Sequence, residues 1–380
     1  MGAAQTSVRT AATRAAVLLG ALGWLATSQA VEFPLLPAIK SDLAKDSLLL
    51  DAARDSERLL VGGEQGNILY SDDDGASWIQ ADVPISFAIT SVAFGGDGHA
   101  WATAHDGYLL HSSDNGATWE VKLTGSDVAA LSVGAIEAQV QSLEAVLEQA
   151  TPETREEAEW ALDDALFALE EAQAAIGDGM TSPLLETWFA DDAFGYVLGA
   201  YGVFLHTTDG GATWVAHNNR LHNPDNYHLY GMARSSAGTL LVAGEAGTLQ
   251  RSLDNGATWE RVETPYQGSY FGAVAPSDGG LLIFGLRGNV FRSNDEGASW
   301  QAVDTGDQRT LMCGAAREDG SVMLAGAAGV VLESKDAGAS FEVVPTNTST
   351  VYSGVIFDAG GEALLVGFGG VSRIGETGDE

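Results

Sequence analysis

The octapeptide Ser71-Asp72-Asp73-Asp74-Gly75-Ala76-Ser77-Trp78 decides the fold of this 380-residue chain. Its pattern, S/T-x-D-x-G-x-S/T-W/F, occurs six times, with successive copies 41, 95, 45, 41 and 41 residues apart. The five other copies span 112–119, 207–214, 252–259, 293–300 and 334–341. A fixed period of about 40 residues is typical of an array of small repeated units and not of an enzyme with a single core.

A second element, Gly-x-x-Gly followed by a short apolar run, recurs with the same period and predicts a tight turn between two strands. Its copies are Gly63/Gly66, Gly199/Gly202, Gly244/Gly247, Gly285/Gly288, Gly326/Gly329 and Gly367/Gly370, with Ala104/Gly107 as a degenerate copy. In the unit 230–261, the run before Ser235, the runs before and after this turn, and the segment after the octapeptide make four antiparallel strands. Seven such units predict an all-β fold, a seven-bladed β-propeller of four-stranded antiparallel blades.

The Asp and Ser/Thr residues that recur in every copy of the octapeptide have a structural role. Asp and Ser/Thr side chains bond to nearby backbone amides in turns, and a catalytic aspartate rarely occurs in six equivalent copies. We assign this turn role to Asp73, Asp114, Asp209, Asp254, Asp295 and Asp336. The terminal aromatic residue of each copy is expected to pack between adjacent blades, and these residues are Trp78, Trp119, Trp214, Trp259, Trp300 and Phe341.

These octapeptides are Asp-box (BNR-type) repeats, and with the preceding glycine turn the unit resembles the photosystem II stability and assembly factor family. The resemblance covers most of residues 47–373. Members of that family are seven-bladed propellers of the WD40/YVTN-like kind. The resemblance implies a non-enzymatic protein that receives its client on an arginine-rich face.

The last blade has no octapeptide after its glycine turn. The apolar segment 32–36 near the N-terminus is similar to the outer strand that follows each motif aromatic residue. We therefore predict that residues 33–36 pair in the blade that contains 367–373 and close the ring without an open sheet edge.

Residues 1–30 have the pattern of a secretory signal, with Arg9 and Arg14 before an apolar run and Ser28-Gln29-Ala30 at the end. The propeller is then 31–380, and the mature chain is expected to be exported to a periplasm, or to a thylakoid lumen in a phototroph, without inserting in the membrane. The net charge of −34 disfavours binding to nucleic acid. The single cysteine, Cys313, permits no intrachain disulfide.

Basic residues concentrate in the fourth to sixth blades. Two interpretations remain open for Arg251, Arg287, Arg292 and Arg309: scattered surface charges paired with local acids, or a basic patch that receives an acidic segment of a partner.

The 95-residue spacing contains an insertion, 127–179, whose composition predicts two helices. Apolar residues of the first helix recur at 3-4-3-4 spacing: Val133, Ile136, Val140, Leu143 and Leu147. For the second helix we predict an N-cap at Thr151 with Pro152 after it, and a seam of Leu162, Leu166, Leu169 and Ile176. Trp160 and Phe167 lie on its opposite face, so they either pack on the propeller or form a docking surface on an exposed arm.

Asp-box propellers include glycoside hydrolases, so catalysis has to be considered. A sialidase site needs a cluster of arginines, a tyrosine with a glutamate, and an aspartate. The first repeat lacks the usual R-I/L-P segment, and Tyr230, Tyr270 and Tyr352 are expected to be packing residues. We find no pattern for a cofactor, and His105 with His111 lacks a third ligand for a metal. The sequence therefore favours a monomeric, non-enzymatic scaffold for a membrane protein complex, with a glycan-binding or glycan-hydrolysing propeller as the alternative.

Overall fold

A computed structural model describes residues 35–55 and 58–374, so the predicted signal segment 1–30 lies outside the described residues. These described residues form seven antiparallel sheets and one helical hairpin. The innermost strand of each sheet packs against those of its two neighbours, and the innermost strand of the seventh sheet packs against that of the first. The prediction of a seven-bladed propeller with a helical insertion is confirmed.

The first three blades each contain four strands, in chain order from the axis to the rim. They are β1 (Leu49–Asp55), β2 (Arg58–Gly63), β3 (Ile68–Ser71) and β4 (Ile79–Gln80); β5 (Ile89–Gly96), β6 (His99–Ala104), β7 (Leu109–Ser112) and β8 (Glu120–Leu123); and β9 (Leu184–Phe189), β10 (Gly195–Gly199), β11 (Phe204–Thr207) and β12 (Val215–Ala216).

Blades 4 to 6 repeat this arrangement, whereas blade 7 has three strands among the described residues. The strands are β13 (Leu229–Arg234), β14 (Leu240–Gly244), β15 (Leu249–Ser252) and β16 (Glu260–Arg261); β17 (Tyr270–Val274), β18 (Leu281–Gly285), β19 (Val290–Ser293) and β20 (Gln301–Val303); β21 (Leu311–Ala316), β22 (Val322–Gly326), β23 (Val331–Ser334) and β24 (Glu342–Val343); and β25 (Tyr352–Phe357), β26 (Ala363–Gly367) and β27 (Gly370–Arg373).

The core lies in the interfaces between blades. The second strand of a blade, such as β14 or β18, is buried along its whole length because a neighbouring blade covers each face. That is why these strands read as continuous apolar runs instead of alternating ones. The motif aromatic residues pack in the same interfaces: Trp119 joins the cluster between blades 1 and 2, Trp214 that between blades 2 and 3, and Trp300 that between blades 4 and 5.

The glycine turns are fixed by close backbone contacts. The second glycine of a turn lies against the loop that leads into the next blade: a Cβ on Gly288 would lie 2.3 Å from the carbonyl oxygen of Asp307, and one on Gly329 would lie 2.2 Å from that of Thr348. In blade 7 the equivalent Gly370, at φ 91°, would meet the carbonyl oxygen of Lys45 at 2.0 Å. The segment that leads into β1 therefore occupies the place of the missing connection and closes the ring.

The prediction that 33–36 supplies a strand to blade 7 is wrong for Leu35 and Leu36, which form no strand, whereas residues 33 and 34 lie outside the described residues. The amide of Ala38 donates to the carbonyl of Val83 (3.0 Å), and the amide of Ser41 donates to the side chain of Gln80 (2.8 Å). These bonds hold the segment beside the outer strand of blade 1. Leu35 and Leu36 belong to an apolar run that resembles an outer strand, but these polar bonds and the contact at Gly370 decide the path of residues 35–46.

Side chains and strand packing complete the closure between blades 7 and 1. The hydroxyl of Ser353 donates to the carbonyl of Leu49 (2.7 Å). Asp74, in the first Asp box, accepts a bond from Arg54 (2.8 Å) and another from the amide of Ala359 (3.1 Å). Among the described residues, these contacts join the first and last blades, and no strand is shared between them.

The hairpin consists of α1 (Gly125–Gln149) and α2 (Arg155–Gly177), inserted between the outer strand of blade 2 and the inner strand of blade 3. Thr124 caps α1 and forms a reciprocal capping box with Asp127. Near the base of α1, Val128 is buried in the cluster between blades 2 and 3, with Leu131 and Ala135 packed beside it. No helix among the described residues is long and apolar enough to cross a membrane.

Candidate binding surfaces

Because the strands of a blade alternate in direction, successive turns of the chain lie at opposite ends of the blade. The glycine turns and the connections between blades lie at one end, which we call the turn face, and the Asp boxes lie at the other end, the Asp-box face. The hairpin leaves from a connection between blades, so it belongs to the turn face. In agreement, Gly107 of a glycine turn lies directly against Gly125 of α1.

The six Asp boxes contain the same hydrogen bonds. In the first one, Asp73 accepts bonds from the hydroxyl of Ser71 (2.8 Å) and from the amide (2.8 Å) and hydroxyl (2.6 Å) of Ser77. The hydroxyl of Ser71 accepts the amide of Gly75 (2.8 Å). The equivalent bonds recur around Asp114, Asp209, Asp254, Asp295 and Asp336.

Those bonds favour the ionised carboxylate and leave it no proton to donate near neutral pH. The hydroxyl and amide of Thr258 lower the pKa of Asp254 to about 2, and Ser299 lowers the pKa of Asp295 to about 2 in the same way. A group with these bonds serves the turn and is unsuited to act as a catalytic acid.

Two of the four arginines proposed for partner binding join neighbouring blades. Arg251 contacts Glu260 and donates to the carbonyl of Glu296 in the next Asp box (2.8 Å). Arg292, whose side chain is 10% exposed, contacts Asp278 and donates to the carbonyl of Ala337 in the next Asp box (3.1 Å). Both arginines lie at the Asp-box face and have their hydrogen-bonding groups engaged.

The other two arginines lie at the turn face. Arg287 is exposed in the turn of blade 5, at φ 59°. Arg309 pairs with Asp307 and donates to the carbonyl of Ala328 (2.9 Å). Of the two interpretations left open, the four arginines do not form one basic patch together, because the alternation of strand direction places them at opposite ends of the blades.

The hairpin differs from its sequence prediction in two details. Helix α2 begins at Arg155 instead of directly after Thr151, because the amide of Thr154 bonds to the carbonyl of Thr151 (3.1 Å) in a tight turn. Its seam is centred on the buried Ala158 and Ala165 with the half-buried Leu162 and Leu169. Two predicted seam residues are instead exposed, Leu166 (43%) and Ile176 (41%). Small alanines let the helices approach closely, so these longer side chains are left at the edge of the seam.

The structure decides between the two positions that were open for the aromatic pair of α2. Trp160 is 65% exposed and Phe167 is 62% exposed, so neither packs on the propeller. Exposed large apolar side chains on one stripe of a helix are typical of interaction surfaces. The arm is held at its base by α1, and α2 presents the pair to solvent.

A further feature, which the sequence reasoning missed, is a central channel with about 410 Å³ of free volume. In six of the seven blades the third residue of the innermost strand lines it, and in blade 2 the lining residue is Thr90. Going around the ring from blade 1, the six third residues are Asp51, Glu186, Gly231, Gly272, Cys313 and Gly354. The signal was available, because Leu49-Leu50-Asp51 and Leu184-Leu185-Glu186 place an acid at the same position of two apolar strands.

The two channel acids titrate unusually. Burial raises the pKa of Asp51 to about 6, although it accepts the amide of Val92 (2.9 Å). Burial and the neighbouring Asp51 raise the pKa of Glu186 well above its usual range. Burial also raises the pKa of the Cys313 thiol, which makes it a poor nucleophile. The pair can therefore hold protons or accept hydrogen bonds inside the channel, and none of the residues that line it in the described part of the chain is an arginine.

Comparison with known proteins fits this geometry. Residues 172–308 match the family model of the photosynthesis system II assembly factor YCF48. Comparison with curated proteins gives no match. Among solved structures, YCF48 bound to D1 peptide is 15% identical, with a TM-score of 0.60 over 89% of this chain and 99% of that one. YCF48 from Cyanidioschyzon merolae is 14% identical, with a TM-score of 0.59 over 86% of this chain and 95% of that one.

The fold by itself does not separate binding proteins from enzymes. A streptogramin B lyase is 10% identical, with a TM-score of 0.63 over 87% of this chain and 93% of that one. The sequence distinguishes these similarities, because residues 172–308, which contain three glycine turns and three Asp boxes, match the assembly-factor model. Residues 172–308 are therefore similar in sequence to photosystem II assembly factors, and the described residues form a propeller with the fold of YCF48.

Proposed function

We propose that this chain is an exported, non-enzymatic scaffold that binds an exported segment of a membrane protein complex. The observation that carries the proposal is the match of residues 172–308 to a photosystem II assembly factor. The structure of YCF48 bound to D1 peptide supports it, because the protein in that structure has the same fold and binds a peptide. In a phototroph the partner is photosystem II, and in a heterotroph it is an envelope complex such as an RND-type exporter.

The charge and the arm support the same proposal. A net charge of −34 repels nucleic acid and anionic lipid headgroups, which leaves proteins as the favoured partners. Most of the hairpin lies beyond the packed interfaces of the blades, and it presents Trp160 and Phe167 to solvent. An exposed aromatic pair on an appended arm is better suited to binding a partner than to stabilising the ring.

The channel favours binding over hydrolysis. Tyr230 and Glu186 both line it, and these are the residue types that a sialidase uses as its nucleophile pair. A sialidase also needs arginines around the substrate carboxylate, and the described lining residues supply none. The raised pKa of Glu186 further disfavours the ionised base that would activate a tyrosine.

Affinity purification tests the proposal. The tagged mature protein is expressed in its source cell, the membranes are solubilised in mild detergent, and co-purifying proteins are quantified against an untagged control. Stoichiometric recovery of the subunits of one membrane complex is expected. Recovery of no membrane protein, together with release of fluorophore from a sialoside or glucan substrate by the purified protein, would establish the hydrolase alternative instead.

A further inference from the structure

The exposed stripe of α2 combines its aromatic pair with an unusual density of negative charge. At 100° per residue, six acids lie within about 80° of the line through Trp160 and Phe167. They are Glu156, Glu157, Asp163, Asp164, Glu170 and Glu171, and all are exposed. We call these eight residues the acidic aromatic face.

No basic side chain of the arm neutralises this face. Between 125 and 177 the sequence contains twelve acids and one base, Arg155. Arg155 pairs with Glu159 (2.9 Å), which lies at the edge of the face and not within it. Among the described contacts, none of the six acids forms an ion pair, so their charges are available to a partner.

From this geometry we infer that the acidic aromatic face of α2 docks a basic amphipathic helix of the partner protein. The inference rests on the proposed function and names the chemistry of the partner segment. The two aromatic side chains lie seven residues apart, which is about 10.5 Å along the helix axis. A partner helix with apolar residues at matching spacing and lysines or arginines on both sides fits the aromatic anchors and the acids together.

The same charge argues against two other occupants. A second copy of the arm would bring six acids against six, and like charges at an interface disfavour association. An anionic lipid surface would repel the face in the same way. A basic helix is the occupant for which the charge and the apolar stripe act in the same direction.

A peptide titration tests this inference with the full mature chain. The probe is an 18-residue fluorescent peptide with leucines at i, i+3 and i+7 and lysines at the flanking positions. A peptide of the same composition with its leucines spread around the helix serves as control. Fluorescence anisotropy is measured at about 50 and 200 mM salt.

Two variants test the two components of the face separately. Trp160→Ala with Phe167→Ala removes the anchors, and Asp163→Lys with Asp164→Lys reverses charge beside them. The matched control, Glu144→Lys with Glu148→Lys, makes the same charge change at exposed positions of α1. We expect each face variant to weaken binding of the amphipathic peptide at least tenfold. The control variant should weaken binding less than about threefold at 200 mM salt, because screening shortens the range of charge interactions to about 10 Å or less.

The outcomes separate this inference from the proposed function. Equal affinity for the two peptides, or an equal effect of the face variants and the control, overturns the acidic aromatic face as a docking site. Recovery of the membrane complex by intact protein and by both face variants alike refutes the inference while the scaffold function stands. Specific peptide binding without recovery of any membrane complex supports the face and contradicts the scaffold function. Because all the substituted side chains are exposed, melting temperatures within a few degrees of the parent protein confirm that the variants fold.

Discussion

Two deletions of the hairpin should differ sharply in their effect on stability. The longer removes 127–179 and the shorter removes 138–172, each replaced by a Gly/Ser bridge. The shorter cut follows the pairing of the helices, because the side chain of Gln173 donates to that of Glu137 (3.5 Å). It removes Trp160 and Phe167 but keeps the base of α1.

The expected difference comes from the contacts at that base. Val128 is 2% exposed in the cluster between blades 2 and 3, and burial of a valine contributes about 1.5–3 kcal/mol. The half-buried Leu131 adds roughly 1 kcal/mol on the same scale. The longer deletion should therefore lower the free energy of unfolding by about 3 kcal/mol or more. At ~2–4 °C per kcal/mol, the melting temperature should fall by roughly 6 °C or more.

The shorter deletion should change the melting temperature of the propeller by less than about 2 °C, because none of residues 138–172 belongs to the described hydrophobic clusters between blades. Unfolding is followed by near-ultraviolet circular dichroism, which reports the packed aromatic residues between blades. Variant Val128→Ala in the intact chain is the control and should reproduce part of the loss. Equal melting temperatures for the two deletions would refute the assignment of α1 to the interface between blades.

Three further predictions concern the ring. Ser252→Ala removes the hydroxyl that accepts a buried backbone amide, so the free energy of unfolding in urea should fall by about 1–3 kcal/mol. Leu253→Ala, at an exposed position of the same Asp box, should lower it by less than about 0.5 kcal/mol. Equal losses would contradict the turn role of the Asp box. Burial lowers the pKa of His206 to about 4, so the unfolded state binds more protons than the folded state between pH 6.5 and 4, and stability should fall as the pH falls through that range. The melting temperature of the variant His206→Gln should fall less over the same range. Parallel pH profiles of the melting temperature for the two proteins would contradict this prediction. Arg292→Met should lower the free energy of unfolding by about 2 kcal/mol or more, since it leaves the carbonyl at the blade interface unbonded. Arg287→Met should be nearly neutral. The reverse order in urea unfolding would contradict the assignment of Arg292 to the interface between blades.

The repeat pattern predicted the fold because both of its elements have local physical causes. The Asp box is fixed by bonds within seven residues, as in Ser71 to Ser77. The glycine turns of blades 1 to 6 are each closed by a backbone bond across four residues, as from the amide of Gly63 to the carbonyl of Asn67 (2.9 Å). Ring closure depends instead on residues more than 250 positions apart, such as Ser353 and Leu49, and no local pattern records such a pairing. That is why the prediction that Leu35 and Leu36 form a strand of blade 7 was wrong.

The candidate site was predicted in part for the same reason. Helical spacing placed Trp160 and Phe167 on the face opposite the seam, but only the packing of α1 shows that the propeller does not cover them. The interpretation of the arginines as a basic patch relied on their closeness in sequence, which is not closeness in space. Arg287 and Arg292 are five residues apart, yet the strand between them carries the chain from one end of the blade to the other.

In vivo photo-crosslinking tests the central claim most directly. A benzophenone amino acid is placed at position 160 on the arm and, as control, at the exposed position 253 on the Asp-box face. The account predicts a covalent adduct with one subunit of a membrane complex from position 160, mapped to a basic helix of that subunit, and none from position 253. The absence of any membrane protein adduct from position 160, or the same adducts from both positions, would contradict the account.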